Sequence, residues 1–195
     1  GDEMALFNRK KHYSYETCDS KFFLAYKDGK VVGRIQAIHQ KVSNQIRNQK
    51  RVRFGRFDFI DDTEVAHALL DAVKDYALSI GMDELCGPLG FDDMDREGLL
   101  VEGFEEMSTF EEQYNYPYYE KAYLDYGFEP ECEWVESRLT KPDVIDERVF
   151  RIADKMMDRY NLKVREFKST NEILKRYGDK LFDLCEESYE HLYMT

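Results

Sequence analysis

The chain has 195 residues, of which 43% are hydrophobic and 35% are charged, and its formal net charge is −12. A chain of this length forms one large domain or about one and a half small ones. The acidic charge disfavours nucleic acid and anionic membranes as partners, and no apolar run approaches the ~18 residues of a membrane-spanning helix.

Three strands are predicted in the first third of the chain. Residues 21–38 contain two apolar runs around Asp28-Gly29, and an Asp-Gly pair between such runs is a strong hairpin signal because both turn positions need a positive φ. A third strand is indicated at residues 51–60, where apolar and polar residues alternate.

The segment from Gly29 to Phe57 is basic, although the chain as a whole is acidic. It contains no Asp or Glu and carries a charge of +8, which leaves −20 (−12 minus 8) for the remainder. Its cations are Lys30, Arg34, Lys41, Arg47, Lys50, Arg51, Arg53 and Arg56. Two interpretations are open: a solvated hairpin tip, or a binding site for an anion on an otherwise acidic body.

An amphipathic helix is predicted at residues 65–80, because apolar residues recur there at helical spacing. Gly81 is a natural stop for it. The junction between the third strand and this helix carries Asp61, Asp62 and Glu64 and no glycine. The Asp61-x-x-Glu64 spacing is similar to a capping box, so we expect the helix to begin there.

The next elements are a short strand at residues 84–91 and a long acidic, aromatic segment at residues 92–119. Connections of this length are usually functional lids or locally ordered excursions. A short helix ended by Gly127 is predicted at residues 120–126, followed by a strand or strand pair at residues 128–139.

The sequence Lys141-Pro142-Asp143 is interpreted as a domain boundary. It divides the chain into a first domain (1–141), a linker helix (142–161) and a strand–helix segment (162–195). The strand is expected at residues 162–167, and Ser169-x-x-Glu172 is a capping box for the last helix.

The sequence contains no complete metal-binding motif and no nucleophile motif. The sequence Asp93-Met-Asp95-Arg-Glu97-Gly98 is similar to the opening of a calcium loop, but Phe104 stands where the bidentate Glu is needed. No Gly-x-Ser-x-Gly or His-Glu-x-x-His is present. The four cysteines, Cys18, Cys86, Cys132 and Cys185, include no Cys-x-x-Cys pair. We therefore expect no metal site, reduced thiols and a cytoplasmic location.

The order of these elements, with two segments, resembles the GNAT superfamily of N-acetyltransferases. FFLAYKDGKVVGRI is similar to the family's second and third strands with their Asp-Gly turn, and AYLDYGFEPECEW is similar to its Tyr-x-x-x-Gly-Phe sequence. The resemblance covers residues 21–139. It implies an α/β (α+β) fold whose mixed, mostly antiparallel sheet is flanked by helices and splayed open between its fourth and fifth strands.

The resemblance also implies an activity: N-acyl transfer from acetyl-CoA or another acyl-CoA, lying in the splay, directly to a small amine or amino-acid-like acceptor. Tyr123 matches the family's tyrosine that can protonate the departing thiolate, although a packed structural tyrosine explains it equally well. An acidic loop with Asp92, Asp93 and Asp95 would attract the amine. The alternative is a catalytically silent GNAT-like module that binds a ligand or a partner.

The first strand and helix of that fold are not found before Lys21, whereas residues 162–192 are similar to that opening pair. In one interpretation the chain holds most of one unit and the start of a second, within a longer protein. Alternatively, the last strand and helix complete the first sheet in permuted order. We favour the first interpretation because the break at Pro142 and the following helix are typical of a connection between domains.

The start of the central helix departs from the family pattern. The family has a glycine-containing loop there, whose N–H groups and helix dipole hold the CoA pyrophosphate. A carboxylate occupies those N–H groups and repels phosphate. We expect Asp61 or Asp62 to cap this helix and no pyrophosphate to bind there. The phosphates would then be held by the neighbouring strand, or the active site would lie in the second unit. The candidate strand residues are Arg51, Arg53 and Arg56.

Overall fold

The computed structural model describes residues 8–92, 94–109 and 112–189. It contains two compact units, one up to Pro130 and one from Glu131, so this division falls earlier than the boundary at residues 141 and 142 that the sequence indicates. The elements of the first unit are a 3₁₀ helix (Tyr13–Glu16), β1 (Cys18–Lys27), β2 (Lys30–Gln40), α1 (Lys41–Arg47), β3 (Arg51–Phe59), α2 (Thr63–Ser79), β4 (Glu84–Cys86) and α3 (Tyr118–Tyr126).

The four strands form one sheet in the order β1-β2-β3-β4. β1 and β2 form the expected hairpin around Asp28 and Gly29, whose φ angles of 51° and 75° suit a tight turn. β2 and β3 are antiparallel, and β3 and β4 are parallel. The mixed, mostly antiparallel sheet predicted from the sequence is therefore confirmed.

A β-bulge interrupts the pairing of β2 with β3. Gln36 lies opposite Gly55 and Arg34 lies opposite Asp58, so β3 has one more residue than β2 between these two pairs. Arg56 has a left-handed φ of 45° at this point. A bulge of this kind bends the strand and changes the direction in which its side chains point.

β4 pairs with β3 only briefly. Arg51 lies opposite Glu84 and Arg53 opposite Cys86, and the Leu89 N–H then donates to the Phe54 carbonyl at 2.8 Å. Gly55 allows this close approach, since a Cβ atom there would lie 2.4 Å from the Leu89 carbonyl oxygen. Beyond Leu89 the chain enters the long connection and no longer follows β3.

The core of the first unit lies between the sheet and α2. The buried face of α2, with Leu69, Leu70 and Val73, belongs to the same apolar cluster as Val52 and Phe54 of β3. Burial of each such side chain stabilises the fold by ~1.5–3 kcal/mol. The predicted amphipathic helix thus covers one face of the sheet, as its periodicity indicated.

The second unit contains α4 (Glu147–Arg159) and α5 (Thr170–Tyr189). One bond of the capping box predicted for the last helix is present, since the Ser169 hydroxyl accepts from the Glu172 N–H at 3.3 Å. The Glu172 carboxylate accepts from the Lys168 N–H at 3.1 Å, one residue before the N–H that a capping box uses. Within the described residues of both units, no helix is long and apolar enough to cross a membrane.

Two strand predictions are wrong. Residues 128–139 and 162–167 have irregular structure, and neither segment pairs with a strand in the described part of the chain. Their β-forming side chains are exposed, for example Val135 at 89% and Val164 at 82%. A strand is stabilised by its neighbours and by the face that it covers, so strand-like composition without either does not produce one.

Candidate functional site

A cleft opens where the chain leaves β3 after β4. Its walls come from β3, from the turn after β4, from the long connection and from α3. The lining residues are Arg56, Phe57, Pro88, Arg96, Gly98, Leu99, Gln113, Asn115, Tyr119 and Tyr123. The enclosed volume is about 20 Å³, which is room for about one water molecule. A larger ligand therefore extends through the open side of the cleft or displaces the long connection.

Tyr123 lies on α3 and reaches the cleft from the core. It is 5% exposed, and its ring packs against those of Phe54, Phe57 and Phe128. Its hydroxyl group has no hydrogen-bond partner in the described part of the chain, and the Oη atom is not one of the buried atoms left without a partner, so it is the part of the side chain that solvent in the cleft can reach. Burial, followed by the nearby Tyr119 and Asp58, raises the pKa of Tyr123 well above its ordinary value of 10.0. The phenol therefore remains protonated at neutral pH.

Two tyrosine hydroxyls hold α3 against β3. Tyr118 Oη donates to the Phe59 carbonyl at 2.6 Å, and Tyr119 Oη accepts from the Phe59 N–H at 3.4 Å. These two bonds provide hydrogen-bond partners for the backbone carbonyl and N–H of Phe59, at the end of β3 where β4 no longer pairs with it. Gly127 ends α3 with a φ of 105°, as predicted. Tyr119 and Tyr123, one helical turn apart, thus share the face that lines the cleft.

The three arginines predicted to hold the cofactor have different surroundings. Arg51 forms two bonds with the Glu84 carboxylate, at 2.6 and 2.9 Å. Arg53 is 4% exposed and donates to the Phe91 carbonyl at 3.3 Å. Arg56 alone of the three lines the cleft. Their role in cofactor binding remains a prediction.

Arg56 is held in place by two side chains. It donates to Gln36 Oε1 at 2.7 Å and lies 3.4 Å from a carboxylate oxygen of Asp95. Gln36 is itself buried and donates to the Ser20 hydroxyl at 2.9 Å. This support orients the Arg56 guanidinium beside the cleft, next to the bulge that carries it.

Asp92 and Asp95, two of the three carboxylates predicted to attract the substrate, form hydrogen bonds within the first unit and are not among the residues that line the cleft. Asp92 accepts from the Tyr13 hydroxyl at 2.8 Å and from the Met94 N–H at 3.1 Å. Asp95 accepts from the Phe91 N–H at 2.8 Å and pairs with Arg56. Asp93 lies outside the described residues. Substrate binding by these residues remains a prediction.

Arg96 and Tyr119 are site residues that were not predicted from the sequence. Arg96 is the one Lys or Arg between residues 92 and 120, and this isolation within an acidic stretch was the available signal. Tyr119 lies four residues before Tyr123, a spacing that places both on one helical face. Only the tertiary structure shows that both residues line the same cleft as Arg56.

The start of α2 is self-capped, as predicted. Asp62 is the N-cap residue, and its side chain accepts from the Glu64 N–H at 3.0 Å. The same carboxylate pairs with the Lys27 ammonium at 2.8 Å. The first of these bonds occupies one of the N–H groups that a phosphate would otherwise use.

Replacing Asp62 with alanine is expected to lower the melting temperature at pH 7, because the Glu64 N–H loses its acceptor. The hydrogen bond from Lys27 holds the pKa of Asp62 below its ordinary value of 3.8. Because the pKa of Asp62 is lower in the folded state, its stabilising effect is fully present when the pH is above the pKa of the unfolded state. The effect is lost as the pH falls through the pKa of the folded state. Thermal unfolding as a function of pH should therefore show the two proteins converging in acid. Asp61→Ala is the control, and an equal loss there would contradict the assignment.

No metal centre or disulfide is found in the parts of the chain that the structure describes. No group of three or more His, Cys, Asp or Glu is arranged to hold a metal ion in these ranges. All four cysteines lie in described segments, and no disulfide joins them. The cleft is therefore the candidate site on which functional inference rests.

The fold and cleft define an α+β unit with a mostly antiparallel sheet that opens beside β3. The comparisons with known proteins found no matching family and no matching solved structure. The chain is similar to Protein YghO of Escherichia coli (strain K12), with 26% identity over 142 residues. The match covers 73% of this chain and 36% of that protein, so the chain spans little more than a third of the relative's length.

Proposed function

We propose that the first unit is an acyl-CoA-dependent N-acyltransferase that transfers an acyl group, such as acetyl, directly to a small amine or amino-acid-like acceptor. The observation that carries the proposal is the hydroxyl of Tyr123, which lacks a hydrogen-bond partner among the described residues although the side chain is almost fully buried. The Oη atom itself is not among the described buried atoms that lack a hydrogen-bond partner, so it is open to the cleft, where water can bind it. An acceptor atom on a ligand in the cleft would complete its hydrogen bonding.

The proposed chemistry assigns one step to this hydroxyl. In direct transfer the amine nitrogen attacks the thioester carbonyl carbon, the C–S bond breaks, and the sulfur leaves as a thiolate. Tyr123 would donate its proton to the sulfur and regain one from water, while the new amide nitrogen loses its extra proton to solvent. A tyrosine is protonated at neutral pH at its ordinary pKa, and burial raises the pKa of Tyr123 further, so the proton is present when the substrate binds, while the higher pKa makes the phenol a weaker acid.

The phosphates of acyl-CoA require a site other than the start of α2, where Asp62 is the cap. The proposal assigns them to side chains of the basic segment from Gly29 to Phe57. Within that segment, Arg51 and Arg53 already make contacts inside the unit, and Arg56 is the arginine nearest to the cleft. Phosphate binding would therefore depend on charge more than on helix N–H groups.

The alternative function is a catalytically silent module that binds a ligand or a partner. The capped start of α2 favours it, because the cap occupies an N–H group that a pyrophosphate would use. The cleft volume of about 20 Å³ is far below the ~300–1,000 Å³ of usual small-molecule sites, which favours a partner over a small ligand. Under this alternative, Tyr123 would be a packed structural residue with no role in proton transfer.

Ligand-dependent unfolding of the full chain separates these functions. Acetyl-CoA and CoA are each expected to raise the melting temperature. At a ligand concentration of 100 times the dissociation constant, the free energy of unfolding should increase by ~2.7 kcal/mol. Inorganic phosphate at the same concentration is expected to leave the melting temperature unchanged. Thiol release from acetyl-CoA should then depend on an added amine. Stabilisation without thiol release would support the silent module, and the lack of both would contradict acyl-CoA binding altogether.

The proposal includes a cytoplasmic setting and a small-molecule partner. The absence of a disulfide among the four cysteines supports a reducing compartment. The net charge of −12 supports a small amine over nucleic acid or an anionic membrane as the partner.

A further inference from the structure

The charge of the cleft is opposite to that of the chain. The chain carries −12, yet among the described residues the cleft is lined by two arginines, Arg56 and Arg96, and by no Asp or Glu. Arg56 is paired with the Asp95 carboxylate, so Arg96 supplies the uncompensated positive charge of this lining, and that charge attracts an anion. The acceptor is therefore expected to bear a negative group in addition to its amine.

Arg96 is the more available of the two cations. It is exposed, and it has no hydrogen bond or ion pair in the described segments. The nearby Asp95 carboxylate binds Arg56 and the Phe91 N–H instead. A guanidinium left without a partner in an acidic loop, at the rim of a cleft, has its full set of N–H donors available to a planar anion.

The buried end of the cleft is neutral. Phe57, Leu99 and Pro88 supply apolar surface, and the hydroxyl of Tyr123 supplies a donor that is not satisfied by the described residues. Arg96 and Tyr123 differ strongly in exposure, since Tyr123 is 5% exposed and Arg96 lies in the exposed class. The cleft thus runs from a cationic rim to a neutral end with an available proton donor.

We propose that the acceptor is an α-amino acid or a similar amine with a carboxylate, and that Arg96 holds this carboxylate. The amine would then face the neutral end of the cleft, where Tyr123 lies. A guanidinium binds a carboxylate through two parallel N–H···O bonds, which fixes orientation as well as charge. This inference rests on the proposed function, and it replaces the acidic loop with an arginine as the element that selects the acceptor.

Matched acceptors that differ only in the carboxylate test the inference. Acyl transfer by the full chain is measured with L-phenylalanine against 2-phenylethylamine, L-leucine against 3-methylbutylamine, and L-histidine against histamine. For at least one pair, kcat/KM is expected to be about 10- to 100-fold higher for the amino acid than for the matching amine. This factor corresponds to the contribution of one hydrogen bond to a charged group. Arg96→Gln should remove most of this preference through KM, and Arg96→Lys should keep part of it. Arg138→Gln, an equal charge change at an exposed site in the second unit, should leave the preference intact.

The outcomes separate this inference from the proposed function. Transfer without preference for the carboxylate, or a preference unchanged in Arg96→Gln, would overturn the carboxylate site and leave the acyltransferase standing. If no acceptor gives thiol release, binding of the same pairs is measured by thermal shift. Binding of the amino acids that depends on Arg96 would then support the carboxylate site without the activity, and no binding would overturn both.

Discussion

Replacing Tyr123 with phenylalanine is expected to lower the turnover of acyl transfer by about 10²- to 10⁴-fold, the usual contribution of a positioned general acid. The change removes only the hydroxyl, while the ring contacts with Phe54, Phe57 and Phe128 remain. Affinity for acyl-CoA and the melting temperature should therefore stay close to those of the unchanged protein. Steady-state kinetics with saturating acyl-CoA, together with thermal unfolding, measure these quantities.

Tyr126→Phe is the matched control, because it removes a tyrosine hydroxyl from the same helix. That hydroxyl donates to Asp71 at 2.8 Å in an exposed contact and does not line the cleft, so turnover should not change. The pKa of Tyr123 also predicts that its deprotonation causes no loss of activity below pH 10. Full turnover in Tyr123→Phe would eliminate the general-acid role and favour the silent module.

Replacing Phe54 with alanine is expected to lower the free energy of unfolding of the first unit by about 3–5 kcal/mol, as for other buried aromatic residues. Phe54 is fully buried at the centre of β3. Its ring contacts Phe57, Tyr123 and Phe128, so its loss leaves a cavity next to the cleft. Urea dependence of hydrogen exchange at β3 and α2 amides reports the stability of this unit separately from the second.

Phe22→Ala is the control for this prediction, since Phe22 lies on β1 of the same sheet and is 37% exposed. Less apolar surface is buried there, and surrounding water fills the vacated space, so its loss should be well under half of that for Phe54→Ala. Equal losses at the two positions would show that Phe54 is not the centre of the core. In Phe54→Ala, acyl transfer should also fall, because the Tyr123 ring loses one of its supports.

Local sequence determined the elements whose signals are carried by adjacent residues. Asp28-Gly29 specified the hairpin because few residues adopt two consecutive positive φ angles. Asp62 specified the start of α2, since a carboxylate at that position can reach the N–H of Glu64 without help from the rest of the chain. Gly127 specified the end of α3 for a similar reason.

Tertiary structure decided which side chains meet, because that depends on pairing between distant segments. Alternation along β3 does not reveal the bulge that brings Arg56 to the cleft while Arg51 and Arg53 contact other groups. Composition alone likewise suggested strands at residues 128–139 and 162–167. Neither segment forms a strand, because no described strand pairs with it. The carboxylates of Asp92 and Asp95 looked available in the sequence, but hydrogen bonds within the first unit use them. Local propensities are encoded residue by residue, whereas the partner of a charge or a strand is set only when the whole unit folds.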